Sequence, residues 1–338
     1  METKAFSAYA QNKELHEQSS SGGVFSLLAI EILKQGGIVF GAAFDEHWNV
    51  QHMCIDRIDK LPLLRGSKYV QSILGSTFKE IRFYLLRGKK VLFCGTPCQV
   101  NGLLSYLGKE LCVNLLTVDF ACHGVPSFKV WQSYIGKMLC NIESISFRNK
   151  RFGWKTYSLQ VVYTSNKTVS SIFTHDMFMQ AFIKNYTLRP SCYNCVVKGV
   201  NRVSDITLAD YWGVSKYSPK MNHLQGVSLL LVHSIKGMKV LNSIPPSEII
   251  INEETLETCV TMNPSIIKSS VKPQHRDEFM SSLDSMLFTE SYKKYVSHNK
   301  IEDLKLYIKG YVKICAYYLN RIGLNVRPVA AEDKARSN

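Results

Sequence analysis

Long apolar runs are absent from this sequence, and their absence excludes several classes of protein. No stretch approaches the roughly 18 uncharged apolar residues that a membrane-spanning helix needs. The N-terminal segment carries Lys4, Lys13, Glu14 and Glu17 without an apolar core, so it does not have the pattern of a signal peptide. No internal repeat is evident. We therefore expect a globular protein that stays in the cytoplasm.

Acidic residues are scarce relative to basic ones. The chain has 27 Asp and Glu against 41 Lys and Arg, which leaves a net charge of +14. The cations are scattered, and no helix-turn-helix, RRM or zinc-finger spacing accompanies them, so we expect no nucleic acid partner. An anionic cofactor, an acidic electron-carrier protein or an anionic membrane surface would each be attracted by this positive charge. Nothing in the sequence specifically supports the membrane surface.

A disulfide framework is excluded for the ten cysteines, because cytosolic thiols are kept reduced. Six are interpreted as small core residues, namely Cys54, Cys94, Cys112, Cys140, Cys259 and Cys315. The other four lie beside Gly, Pro, His or Asn where predicted elements end, namely Cys98, Cys122, Cys192 and Cys195. The last two form a C-x-x-C pair, whose spacing lets both sulfurs face one metal. Four thiolates fit a structural zinc or a 4Fe-4S cluster, and the two ligands on separate strand ends favour the cluster.

Apolar periodicity predicts alternating strands and helices in the first half, which is typical of an α/β arrangement. The predicted strands there are 38–44, 50–55, 91–94 and 115–120, and the predicted helices are 24–33, 76–87, one from about Cys98, and 127–140. Strands dominate the next part, at 144–148, 157–164, 168–173, 205–209 and 227–233, with a helix at 176–185. The remainder is predicted to be helical, with a final helix at 301–322. We predict an α+β fold in three parts, 1–126, 127–250 and 251–338.

Three polar segments are candidates for ligand binding. Residues 19–23, SSSGG, precede the first helix, where they serve as an N-cap or cradle a phosphate or a flat ring. Residues 65–72, RGSKYVQS, are a solvated loop or a cationic site for a pyrophosphate or a flavin. Residues 91–100 end a buried strand in Gly-Thr-Pro and place Cys98 at a helix N-terminus, which favours a phosphate or a thiolate. The alternative there is an inert cysteine in a tight turn.

Together these segments resemble the coenzyme F420 hydrogenase/dehydrogenase beta-subunit family. The matching stretches, in the family's order, are SSSGGVFSLLA, GSKYVQS, LFCGTPCQVNGLL, DFACHGVPS, FRNKRFGW, SCYNC followed by SDITLADYWG, and GVSLLLV. The resemblance implies an FAD-binding fold with a 4Fe-4S cluster close to the flavin, and hydride transfer by that flavin. By motif, the implied cluster ligands are Cys98, Cys122, Cys192 and Cys195. The implied flavin-lining residues are Ser20, Ser21, Gly22, Gly23, Ser67, Lys68, Tyr69, Gln71, Ser72, Thr96, Pro97 and Gln99.

On this resemblance, residues 1–126 are the flavin-binding part, 127–250 the cluster-binding part and 251–338 a helical tail. Lys68 is the predicted cation beside the flavin, and no residue is assigned as catalytic. Many family members begin with a ferredoxin-like module, but no C-x-x-C-x-x-C precedes Ser19 here. We therefore expect electrons to come from a separate ferredoxin or another donor subunit, which a basic surface suits; the alternative is that the chain has lost the normal reaction of the family.

The substrate is expected to be a small molecule, either coenzyme F420 or another hydride acceptor or donor. Shorter bacterial relatives look like those of polysaccharide biosynthesis, so a reductase acting on a glycan precursor is one alternative. A non-catalytic partner subunit with zinc in the four-cysteine site is the other.

Overall fold

The computed structural model describes residues 1–136, 141–297 and 300–321. The chain divides into two compact units: residues 1–123 with 194–269, and residues 124–193 with 270–338. Within the described ranges, no helix is both long enough and apolar enough to cross a membrane. The predicted division into a flavin-binding part, a cluster-binding part and a helical tail concerns function and stays a prediction.

Eleven strands are present in the described part of the chain. They are β1 (Lys4–Ala10), β2 (Ile38–Phe44), β3 (Val50–Ile55), β4 (Val91–Cys94), β5 (Leu115–Phe120), β6 (Ile142–Asn149), β7 (Ser158–Tyr163), β8 (Thr168–Ile172), β9 (Ile206–Asp210), β10 (Ser228–Val232) and β11 (Ile249–Glu254). The first unit holds an eight-stranded mixed sheet in the order β11-β1-β10-β9-β5-β4-β2-β3.

Four neighbouring strands, β2, β4, β5 and β9, run parallel at the centre of this sheet. Leu92 lies opposite Leu116, and Val118 lies opposite Ile206. Because parallel strands point the same way, the segments that follow β4, β5 and β9 leave the sheet at one common edge. The outer pairs, including β2 with β3 and β1 with both of its neighbours, are antiparallel.

Thirteen α-helices lie in the described ranges. They are α1 (Lys13–Gln18), α2 (Val24–Lys34), α3 (Leu61–Leu64), α4 (Thr77–Leu86), α5 (Pro97–Leu107), α6 (Phe128–Ile135), α7 (Met177–Ile183), α8 (Val214–Tyr217), α9 (Ile235–Ser243), α10 (Leu256–Thr261), α11 (Arg276–Ser282), α12 (Phe288–Tyr295) and α13 (Lys300–Arg321).

Helices cover both faces of the parallel strands. On one face, Leu92 packs in a core cluster with Leu28 of α2 and Leu241 of α9. On the other face, Phe93 packs with Ile81 of α4 and Val100 of α5. Successive residues of a strand point to opposite faces, so a sheet buried on both sides needs a continuous apolar run. The short segment VLF at the start of β4 meets that need.

The second unit holds a three-stranded antiparallel sheet, in the order β6-β7-β8, and an aromatic core. Trp131 of α6 lies with its ring centroid 5.1 Å from that of Phe147 and 5.2 Å from that of Phe178. All three side chains are almost completely buried. These rings bring α6, β6 and α7 together.

The predicted α+β class, with a helical C-terminal region, is confirmed. The predicted strands 38–44, 50–55, 91–94 and 115–120 match β2 to β5 residue for residue. The prediction missed β1, α9 and β11, and β9 and β10 of the predicted second part belong to the sheet of the first unit. Residues 137–140 of the predicted helix 127–140, and residue 322 of the last helix, lie outside the described residues.

Candidate functional site

The candidate site is the edge of the first unit's sheet where the parallel strands end. β4 runs through Gly95 into α5, which places Cys98 four residues beyond the strand. Cys122 follows the neighbouring strand β5 by two residues. In open α/β sheets, ligands bind in the crevice outside the carboxyl ends of the strands. Two of the four predicted cluster ligands therefore follow adjacent strands at the edge where a ligand is expected.

Two of the predicted flavin-binding segments touch each other. The backbone N–H and the hydroxyl of Ser67 both donate to Ser20 Oγ, at 2.7 and 2.9 Å. Beside them, Arg65 Nε donates to Ser26 Oγ in α2 at 3.2 Å. These contacts bring the loop before α2 against the loop that carries Lys68. The sequence placed the two segments 47 residues apart, and only the fold joins them.

Gly22 and Gly23 have a structural role in this unit. The Gly22 carbonyl accepts from Ala10 N–H at 2.7 Å, and its N–H donates to Ser228 Oγ at 3.0 Å. A Cβ at Gly22 would lie 2.2 Å from the carbonyl oxygen of Ala8. Gly23 is the N-cap residue of α2 and has a φ of 86°, in the left-handed region that glycine adopts most readily. Close packing against β1 and β10 thus requires the glycine at position 22.

A hydrogen-bonded chain joins three of the predicted flavin-lining residues to a histidine that sequence reasoning missed. Gln99 Nε2 donates to Ser72 Oγ at 2.9 Å, and Gln99 Oε1 accepts from the backbone N–H of Thr96 at 2.9 Å. Ser72 Oγ lies 2.9 Å from His52 Nδ1, and His52 Nε2 lies 3.1 Å from the Cys94 carbonyl. These hydrogen bonds tie β3 and the 65–72 loop to the end of β4 and the start of α5.

The partners of His52 determine its protonation. The Cys94 carbonyl can only accept, so Nε2 carries the hydrogen, and Nδ1 accepts from the Ser72 hydroxyl. Burial lowers the pKa of His52 from 6.5 to about 4, with a smaller contribution in the same direction from Lys68. The imidazole is therefore neutral near pH 7. The available sequence signal was its position in β3, two residues after the buried Val50 on the same face of the strand.

Lys68 lies at this edge with its ammonium against backbone carbonyls. Its Nζ donates to the Arg65 and Gly66 carbonyls, at 3.0 and 3.2 Å. Burial lowers its pKa from 10.5 to about 7, and the nearby Cys94 thiol opposes that shift. Burial, with a contribution from Asp119, raises the pKa of Cys94 to about 12. An anion bound beside Lys68 would favour its charged form.

The remaining predicted lining residues have the following local environments. Ser21 Oγ donates to the Val227 carbonyl at 2.8 Å. Tyr69 and Gln71 are half-buried in the same loop as Lys68, and Pro97 is the buried first residue of α5. Whether these side chains contact a flavin stays a prediction.

Each predicted cluster ligand has a defined local environment. The sulfur of Cys98 is exposed and lies 3.1 Å from Thr96 Oγ1. The Cys122 carbonyl accepts from Lys198 Nζ at 2.5 Å, and Lys198 follows Cys195 by three residues. Cys195 N–H donates to Ser269 Oγ at 3.0 Å. The loop after the C-x-x-C pair therefore reaches the backbone of Cys122 within the first unit.

In the second unit, Cys192 Sγ accepts from the backbone N–H of Val125 at 3.5 Å. Backbone N–H groups directed at cysteine sulfurs are among the contacts that tune the potentials of iron–sulfur clusters. Among the described residues, no three His, Cys, Asp or Glu side chains are close enough to hold a single metal ion. A 4Fe-4S cluster binds its thiolates through separate iron atoms, so its ligands lie farther apart than those of one ion. Joint ligation by the four cysteines stays a prediction.

A buried charged pair supports the end of β5. Arg202 Nη1 lies 3.4 Å from Asp119 Oδ2, and both side chains are almost fully buried. Thr207 also donates to Asp119. Burial raises the pKa of Asp119, while Arg202 acts in the opposite direction. Next to this pair, Asp205 Oδ2 accepts from the N–H and hydroxyl of Thr117, at 2.8 and 2.9 Å, which ties β5 to the start of β9.

Comparison with known families gives two adjoining matches. The N-terminal model of the coenzyme F420 hydrogenase/dehydrogenase beta subunit matches residues 5–79, and the C-terminal model of the same subunit matches residues 88–257. The chain belongs to the coenzyme F420 hydrogenase/dehydrogenase beta-subunit family. It is therefore an oxidoreductase, as the sequence predicts. The two matches cover both strand ends that carry Cys98 and Cys122, as well as the C-x-x-C pair.

A solved structure shares the fold of this family member. A chain of the F420-reducing [NiFe] hydrogenase complex from Methanosarcina barkeri, determined in a xenon-derivatised form, aligns over 86% of this chain and 90% of its own length. The TM-score is 0.53 and the sequence identity is 17%. No curated protein sequence matches the chain.

Proposed function

We propose that this chain transfers electrons between a 4Fe-4S cluster and a small hydride acceptor or donor through bound FAD. The observation that carries the proposal is the sheet edge of the first unit. There, Cys98 and Cys122 follow neighbouring parallel strands, beside a hydrogen-bonded chain that contains Ser72, Thr96 and Gln99. Predicted cluster ligands and predicted flavin-lining residues thus share one edge.

The donors at this edge fit FAD. The cofactor carries a pyrophosphate and a flat ring whose edge bears carbonyl and nitrogen acceptors. The edge holds the hydroxyls of Ser20 and Ser67, the Lys68 ammonium and the first turn of α5. Cations and helix N-termini suit phosphate oxygens, and amide and hydroxyl donors suit a ring edge. We propose that these residues, with Tyr69, Gln71 and the residues at 20–23, line the flavin.

The four loop cysteines fit an iron–sulfur cluster better than a disulfide framework. Cys192 already accepts a backbone N–H at its sulfur. Thiolate is the common protein ligand of 4Fe-4S clusters. We propose Cys98, Cys122, Cys192 and Cys195 as the ligand set.

When bound, FAD would supply the conversion between single electrons and hydride. The chain's own residues would bind and orient the cofactor and set the charge beside it. Lys68 has a pKa of about 7, so it can gain a proton when an anionic group approaches. His52 stays neutral and holds Ser72 and the end of β4 in place. Neither side chain is assigned a proton transfer to substrate.

We propose a partner that delivers or accepts electrons, either a ferredoxin or another subunit. The solved chain with the shared fold comes from a hydrogenase complex, which supports a role as one subunit of an assembly. The net charge of +14 suits an acidic electron carrier. Coenzyme F420 is the substrate that the family name suggests, with a glycan precursor as the alternative.

Metal and flavin content of anaerobically purified protein tests the proposal. We expect a brown protein that contains iron, acid-labile sulfide and FAD. Cys195→Ser should lose most of the iron and the broad visible absorption, because serine is a poor cluster ligand. Cys112→Ser is the matched control. Cys112 lies before β5, away from the sheet edge of the site, and its sulfur donates to the Gly108 carbonyl. Its replacement should therefore leave the iron content unchanged.

A colourless protein that contains zinc would reject the redox proposal in favour of the non-catalytic alternative. Unchanged iron in Cys195→Ser would reject that ligand. Iron without flavin would reject the flavin site alone, because the two analyses are independent.

A further inference from the structure

The outward face of α13 is apolar over its described length. This helix has 22 residues and extends about 33 Å at 1.5 Å per residue. Its exposed apolar side chains recur at spacings of three and four residues, so they lie in one stripe. We call this set the α13 stripe: Leu304, Tyr307, Ile308, Tyr311, Val312, Cys315 and Tyr318. The interpretation of Cys315 as a core residue was wrong, because the residue is exposed.

The opposite face of α13 holds the helix on the second unit. A Cβ at Gly310 would lie 2.6 Å from Ile172 Cδ1, so the helix backbone packs closely against the end of β8. At the border between this face and the stripe, the His175 ring stacks on Tyr307 with ring centroids 4.0 Å apart, and His175 Nε2 lies 3.0 Å from the Tyr307 carbonyl. Asp303 pairs with Lys184 at 3.2 Å. The orientation of the stripe is therefore set by packing, and it points outward.

Among the described side chains that flank the stripe, the charges are of one sign. On a helical projection, Lys305, Lys309 and Lys313 lie along one flank of the stripe, each four residues from the next. Among the described side chains of α13, the acidic residue is Asp303, which lies on the inner face and is paired. A second copy of the same helix would bring these lysines together, whereas stable helix pairs place opposite charges beside their apolar seam.

We propose that α13 binds an anionic lipid surface, lying in the plane of the interface with the α13 stripe inserted. An apolar stripe flanked by lysines is the pattern of interfacial helices, and tyrosine rings prefer the boundary between acyl chains and headgroups. The overall charge of +14 adds attraction to such a surface. No charge interrupts the described centre of the stripe, which favours hydrocarbon over an acidic protein surface.

The experiment is co-sedimentation of the full chain with lipid vesicles. Vesicles of phosphatidylcholine and phosphatidylglycerol in equal amounts should bind the protein, and pure phosphatidylcholine should bind it less. Ile308→Glu should weaken the partition into vesicles about tenfold or more, because it removes an isoleucine that inserts into the lipid and adds a negative charge. Ile235→Glu makes the same change at an exposed helical isoleucine of the first unit and should have no effect; the two side chains are 54% and 64% exposed.

A second pair of variants tests the charge. Lys305→Gln should weaken binding to the anionic vesicles about fivefold, and Lys239→Gln, in the exposed part of α9, should leave it unchanged. Added salt should lower the affinity of the unmodified protein. Leu304→Glu provides a further stripe variant, and circular dichroism checks that each variant is folded.

Three results would overturn the proposal. One is failure of the folded protein to bind the anionic vesicles. Another is vesicle binding by Ile308→Glu and Leu304→Glu that equals the binding of the unmodified protein. The third is self-association that Ile308→Glu abolishes without any vesicle binding, which would assign the face to a second copy.

Discussion

His52 provides the sharpest test of the site's hydrogen-bonded chain. We consider His52→Phe, which keeps a ring of similar size against Phe93, on which the imidazole stacks with centroids 5.2 Å apart. The change removes the hydrogen bonds to the Cys94 carbonyl and to Ser72. Loss of two buried hydrogen bonds with a filled volume should cost about 2 kcal/mol of unfolding free energy above pH 6.5.

The pH dependence gives this prediction its sign. The pKa of His52 falls from 6.5 to about 4 on folding, so between these values the unfolded chain binds a proton that the folded chain does not. Its contribution to stability is therefore full above pH 6.5 and is lost as the pH falls to about 4. The difference between those pKa values corresponds to about 3 kcal/mol. The variant lacks this loss, so it should become the more stable protein by about 1 kcal/mol near pH 4.

Two measurements check the reasoning. Urea unfolding of both proteins across this pH range gives the difference in stability, and proton NMR of the imidazoles identifies the signal that His52→Phe removes. His47→Phe is the control, because the His47 side chain is 75% exposed and should leave the difference near zero. A His52 signal that titrates near 6.5, or a stability difference that is constant with pH, would refute the buried neutral tautomer.

Two further predictions concern the scaffold. Gly22→Ala should lower the free energy of unfolding by more than about 3 kcal/mol, because its Cβ would meet the Ala8 carbonyl. Gly102→Ala on α5 should be neutral or stabilising, and equal melting temperatures for the two variants would contradict the prediction. Arg202→Met should cost about 3–5 kcal/mol by leaving Asp119 charged and unpaired. Adding Asp119→Asn should recover part of that loss, and a double variant as unstable as the single one would count against the pair.

Several strands could be predicted from sequence because they are buried on both faces. Residues 38–44 and 91–94 are continuous apolar or small-residue runs, and residues 115–120 are mostly apolar; such buried runs bounded by turns are the signature of central parallel strands. β1 reads KAFSAYA and β11 reads IIINEE, and neither has that signature. The pairing of β1 with β10 on one side and with β11 on the other is decided by contacts across more than 200 residues of sequence.

The site was predicted in part for a related reason. Cysteines and glycines at the ends of strands are visible in sequence, because turn residues mark where elements stop. His52 lies inside a strand, where its position two residues after the buried Val50 indicates burial but not function. Its partners, Ser72 and the Cys94 carbonyl, are 20 and 42 residues away, so the hydrogen-bonded chain exists only after β3 and β4 join the same sheet.

The sequence by itself determined the family, the redox class and the central strands, because these depend on motif order and on local apolar runs. The tertiary structure decided which loops meet at the sheet edge, which histidine is neutral and why Gly22 is required. It also decided which face of α13 remains outside. These properties depend on burial and on contacts between distant segments, and neither can be read from neighbouring residues.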